Sequence, residues 1–80
     1  MTFDVLLFAS YADALGGRSV LVTVPEGSRV ADVVRVLRAL ADAGTIPERP
    51  LVAVNHRYAK PELELHSGDE IALIPPVAGG

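Results

Sequence analysis

From Ser28 to Gly44 the apolar residues Val30, Val33, Val34, Leu37 and Leu40 recur at i, i+3, i+4, i+7 and i+10, as one buried helical stripe requires. Asp32, Arg35, Arg38 and Asp42 fall on the opposite, wet side. Ser28 is the expected N-cap, because its hydroxyl can accept from the first turn. Gly44 stands where a left-handed residue commonly closes a helix. An 80-residue chain buries only roughly 60% of the surface its unfolded form exposes, so it supports one core and no second domain. That core must be built around this helix.

The other apolar runs are short and β-type. Phe3 to Phe8 is rich in Phe, Val and Leu, with Phe3, Val5 and Leu7 on one face and Leu6 and Phe8 on the other. A link containing Tyr11, Leu15 and Gly16-Gly17 follows, and then the β-branched run Ser19 to Val24, bounded by Pro25 and Gly27. These two runs are expected to pair as a hairpin. After the helix, Pro47 and Pro50 enforce a loop, and Leu51 to Val54 form a strand ending at Asn55. Glu62 to Leu65 is expected as a short strand or turn. Ser67-Gly68-Asp69 is a turn, and Glu70 to Ile74 is the last strand, stopped by Pro75-Pro76. The simplest burial scheme lays the helix across one face of a mixed sheet of four to five strands, an α+β arrangement. That is the plan of the ubiquitin-like β-grasp. It divides the chain into a domain over 1–74 and a flexible tail over 75–80.

Several kinds of chemistry are excluded by what the chain contains. It has no cysteine, hence no disulfide, thiolate zinc site or redox couple. His56 and His66 lie ten apart without a metal-ligand spacing, so they are read as solvated loop histidines and no metal is expected. Asp69-Glu70 follows Gly68 and reads as a turn into a strand rather than an acid/base pair. No phosphate loop or nucleophile elbow is present, and no cofactor is expected to bind. Arg35 and Arg38 are read as solubilising helix-face charges. A net charge of −3, with both signs interspersed, lacks the clustered basic face of a nucleic-acid binder. No run approaches the ~20 apolar residues that span a bilayer. Met1-Thr2-Phe3-Asp4 makes a poor secretory signal, so a cytoplasmic location is expected.

The end of the sequence, Pro75-Pro76-Val77-Ala78-Gly79-Gly80, is the part with a chemical implication. At a background glycine frequency of about 7%, a terminal Gly-Gly arises by chance roughly once in two hundred chains, and frayed termini are common. Its setting is more informative. The prolines hold the chain extended and supply no donor to continue a ladder. Six residues at ~3.3 Å each can project up to about 20 Å, with the last two bare of Cβ. Such a tail fits a narrow channel, and its carboxylate becomes an electrophile once adenylated.

On these residues the chain resembles the small, sulfur-carrying subunit of molybdopterin synthase, the MoaD family. The shared marks are Val5 to Ala9 with the polar link to Gly16, Val54-Asn55, Leu65-His66-Ser67-Gly68-Asp69-Glu70-Ile71, and the Pro75 to Gly80 ending. The resemblance implies that a ubiquitin-activating-type adenylyltransferase uses ATP to adenylate Gly80, with Gly79 beside it. Sulfur from a donor then makes a thiocarboxylate. The tail, Pro75, Pro76, Val77 and Ala78 included, inserts into the large synthase subunit, and the sulfur passes to cyclic pyranopterin monophosphate. The implied assembly is a heterotetramer with a central dimer of large subunits. Phe8, Tyr58 and Ile74 match the family positions that contact both partners. Strand parity independently turns Phe8 and Ile74 away from the helix. Two other sulfur or modifier roles remain open: a thiamine-type thiazole sulfur carrier and a ubiquitin-like modifier joined to lysines. A non-enzymatic β-grasp interaction module with an idle tail is the alternative of a different class.

Overall fold

In a computed structural model that describes residues 1–42 and 44–76, the chain forms five strands and two helices. They follow in the order β1 (Thr2–Leu7), α1 (Ala9–Leu15), β2 (Ser19–Thr23), α2 (Val30–Leu40), β3 (Leu51–Val54), β4 (Arg57–Tyr58) and β5 (Ile71–Ile74). The strands make one mixed sheet in the order β2-β1-β5-β3-β4. β1 and β2 pair antiparallel as the expected hairpin, β5 inserts parallel to β1, and β3 runs antiparallel to both β5 and β4. This is the α+β, ubiquitin-like β-grasp that the element order implied.

The parity reading accounts for the core. Phe3, Val5 and Leu7 of β1, Val52 and Val54 of β3, and Ile71 and Leu73 of β5 all point into one buried cluster. The helix contributes Val30, Val33, Val34 and Leu37 to the same cluster. Leu40 was expected to complete the stripe but is exposed, because α2 ends there and Ala41 turns to an extended conformation. Ile46, from the following loop, takes a core place instead, and the Arg38 Nε donates to its carbonyl at 3.0 Å.

The helix also starts one residue later than expected. Ser28 does not cap it; Arg29 is the N-cap, in an extended conformation. The reason lies in the segment that the sequence left as strand or turn. Leu65 donates its N–H to the Ser28 carbonyl, and Arg29 forms an isolated bridge with Glu64. The N–H groups of Val30 and Ala31 then find the carbonyls of Leu63 and Pro61. Orphan donors of the first turn are thus satisfied by a neighbouring backbone instead of a serine hydroxyl. Asp32 accepts from the Arg29 N–H at 2.8 Å and pairs with Arg35 at 2.9 Å, two contacts that hold its carboxyl below the usual range. Gly44 does have a left-handed φ of +85°, but it serves the turn in which Thr45 donates to Asp42, not the helix end.

Two elements went unread. The link after β1 is helical: Phe8 stands at its N-cap, Tyr11 anchors it in the core, and Gly16 closes it at φ +78° while Gly17 donates to the Ala12 carbonyl. β4 is two residues long and follows a two-residue turn in which Asn55 and His56 both have positive φ, the geometry of a primed hairpin turn.

Candidate functional site

The sheet face opposite α2 carries the side chains that the core does not use. Cross-strand register fixes their neighbours. Leu51 lies opposite Ile74, Ala53 opposite both Ala72 and Tyr58, and Leu6 beside Ala72. Leu7 pairs with Leu73, so Phe8 and Ile74 are the next residues along two adjacent parallel strands. One end of the face therefore collects Phe8, Ile74 and Leu51, with small Ala53 and Ala72 next to them and Tyr58 on the edge strand. Phe8 is 48% exposed, Leu51 50% and Tyr58 76%, while Ile74 is half-buried. Exposed large apolar side chains grouped in this way mark interaction surfaces.

Phe8, Ile74 and Tyr58 were singled out from the sequence; Leu51 was not. Its signal was available in the alternation of the strand, since placing Val52 and Val54 inward forces Leu51 and Ala53 outward. Pro75 and Pro76 follow directly from Ile74 without regular structure. They leave the sheet at its Phe8–Leu51 end. The remaining expected site residues, Val77, Ala78, Gly79 and Gly80, lie outside the described residues, as does the tail's expected flexibility.

The position of Tyr58 depends on a clamp at the far end of β3. The Asn55 N–H donates to the Glu70 carbonyl at 2.8 Å, its side-chain oxygen accepts from the Glu70 N–H at 3.0 Å, and its side-chain amide donates to Asp69 at 2.9 Å. Asp69 in turn accepts from the His66 N–H at 2.8 Å, and His56 Nε2 lies 3.0 Å from a Glu70 carboxylate oxygen. The β3–β4 hairpin is thereby tied to the turn that starts β5. The histidines are both exposed, and among the described residues no group of three or more His, Cys, Asp or Glu is placed to hold a metal.

Asn55→Ala is expected to cost about 1–3 kcal/mol, from lost hydrogen bonds and from placing alanine in the left-handed region. Asn55→Gly should recover the backbone part, as urea unfolding of the two variants will show. The His66 N–H, and then the Asn55 amide, hold the Asp69 carboxyl below its ordinary value. A depressed folded pKa stabilises above the unfolded value near 4 and is lost as the pH falls through the lower, folded one. Asp32 acts in the same window. Stability should therefore decline below about pH 4, and Asp69→Asn should flatten part of that decline in urea titrations across the acid range.

Comparison with known proteins bears on the fold and the family. The ThiS family model matches residues 5–80, nearly the whole chain. The chain belongs to the ThiS/MoaD family. A molybdopterin synthase sulfur carrier subunit from Dictyostelium discoideum is 34% identical, over 98% of this chain and 95% of that protein. Among solved structures, a putative molybdopterin converting factor subunit 1 from Pyrococcus furiosus superposes with a TM-score of 0.83 at 26% identity, covering 96% of this chain and 99% of that one. Small archaeal modifier protein 1 of Haloferax volcanii superposes at 0.80 with 29% identity, over 95% and 98% of the two chains. Family members thus include proteins named as sulfur carriers and as modifiers on one β-grasp frame. Among the described residues no helix is long and apolar enough to cross a membrane.

Proposed function

We propose that this chain is the sulfur-carrying small subunit of a molybdopterin synthase. The observation that carries the reading is the placement of Pro75-Pro76 at the apolar Phe8–Ile74–Leu51 end of the outer sheet face. A partner that covers this end also receives the tail that starts there. Family membership and the named relatives support the chemistry. The Gly80 carboxylate attacks the α-phosphate of ATP on an activating adenylyltransferase, releasing pyrophosphate and leaving an acyl adenylate. Sulfide from a sulfur donor displaces AMP and leaves a thiocarboxylate. The tail then enters the large synthase subunit, the thiocarboxylate sulfur bonds to a carbon of cyclic pyranopterin monophosphate as an oxygen substituent leaves that carbon, and water cleaves the acyl C–S bond, restoring the carboxylate and leaving the sulfur on the pterin. No side chain of this domain needs to act as acid or base. The domain docks and the tail delivers, in a heterotetramer that works in the cytoplasm, and ATP is bound by the partner.

The test is the intact mass of the chain after incubation with a matching adenylyltransferase, ATP and a sulfur donor, beside a chain lacking Gly80. Exchange of one terminal oxygen for sulfur, seen only with Gly80 present, is expected. No exchange, in a mixture that converts a known carrier, would leave the β-grasp interaction module as the reading. The likeness to small archaeal modifier protein 1 favours a second reading, attachment of Gly80 to lysines. It would appear as conjugates of higher mass. The match to the ThiS family model keeps a thiazole acceptor in view, and supplying each acceptor to the thiocarboxylate form separates the two.

A further inference from the structure

On the side of the sheet that α2 covers, a groove of about 600 Å³ opens between the helix, the loop before β3 and the segment after β4. Its rim is Arg35 and Arg38 from the helix, Glu48 and Arg49 from the loop, and Lys60 and Glu62 beyond β4. Four of the seven basic side chains of an acidic protein therefore line one groove, against two of the ten acidic ones. They come from three separated stretches of sequence, so no single charge run accounts for the convergence. Arg35 pairs with Asp32, but Arg38, Arg49 and Lys60 have no carboxylate within 4.0 Å among the described residues. The floor is apolar, built from Val34, Val52, Ala59 and Pro61.

We propose that this groove is a second docking site, which takes an acidic peptide segment of a partner protein with an aliphatic residue on the floor and carboxylates on the rim. The lining argues against a nucleotide. It contains no aromatic side chain to stack a base and no glycine-rich backbone to cradle phosphates, and Glu48 and Glu62 would face a polyphosphate. Spaced carboxylates avoid those two acids, and their pairing with arginine is charge-assisted. The groove lies across the sheet from Phe8 and Tyr58, so both surfaces can be occupied at once. This inference does not depend on the sulfur-carrier reading.

The test is fluorescence anisotropy of the full chain with a labelled peptide Glu-Asp-Glu-Leu-Ile-Glu-Asp-Glu, with amide shifts to locate it. Shifts at Arg35, Arg38, Arg49 and Lys60 are expected. Binding should weaken at least about tenfold when Arg49→Glu and Lys60→Glu are combined, and similarly when the peptide's acids become amides. It should also weaken severalfold between about 20 and 200 mM salt in the unmodified chain, a readout independent of how the variant folds. Phe8→Asp should leave it unchanged. The proposal is overturned by equal binding of the amide peptide, by shifts confined to the outer sheet face, by tighter binding of ATP than of the peptide, or by no binding up to about millimolar peptide.

Discussion

Removing Gly80, or placing a bulky residue at Gly79 or Gly80, is expected to abolish sulfur transfer while shifting the thermal midpoint by less than about 2 °C. The two halves of this expectation have separate grounds. Among the described residues the core ends at Leu73, and Pro75 and Pro76 do not belong to it. The last two residues are therefore expected to matter little to folding. The proposed chemistry depends on them, because it would take place at the terminal carboxylate, and a residue without Cβ is what a narrow channel admits. Loss of the oxygen-for-sulfur exchange with an unchanged melting curve is the predicted pair of results. A marked fall in stability would instead make the tail a structural element of the domain.

The parts of the fold that could be read in advance are those where side-chain period and burial coincide. Phe3, Val5 and Leu7 repeat every second residue and Val30, Val33, Val34 and Leu37 every third or fourth, and both sets meet in one core. What was missed is short. Seven residues from Ala9 to Leu15 hold only Tyr11 and Leu15 as large apolar anchors, too few to display a helical period, and the alanines between them read as a link. β4 has two residues, and its turn is Asn55-His56 without the glycine that usually marks a primed turn. The helix ends were misplaced for a different reason. Tertiary contacts from Pro61, Leu63 and Leu65 settle where α2 begins, and Ile46 fills the core beyond Leu37. Pro61, Leu63 and Leu65 lie more than twenty residues beyond the helix end, and Ile46 stands in a loop that carries no period.

The same division holds for the surface. Phe8 and Ile74 follow from strand parity, and Leu51 would have followed once Val52 was placed inward. The basic groove was invisible, because Arg35 and Arg38 on a wet helix face look like ordinary solubilising charges. Only the fold brings Arg49 and Lys60 to them.

Phe8→Asp is expected to weaken binding to the proposed partners, the large synthase subunit and the activating enzyme, at least about thirtyfold while leaving the isolated domain folded. Phe8 is the cap residue between β1 and α1, and its backbone carbonyl accepts from Tyr11 and Ala12. Those bonds do not involve the ring. The ring is about half exposed, so replacing it removes only about half of the area that a core phenylalanine would bury. In a complex the same position lies beside Ile74 and Leu51, and a carboxylate buried against them must give up water, a cost of several kcal/mol. One substitution at the centre of an apolar contact is enough to lose about 2–4 kcal/mol of binding, or thirty- to a thousandfold in affinity. Leu51→Asp should behave alike, and a change at exposed Leu21, beside Asp4 on the far edge of the sheet, should not. Titration calorimetry of the three variants against the large subunit decides the matter. Affinity unchanged by Phe8→Asp would move the contact away from this end of the sheet and leave the tail as the sole point of attachment.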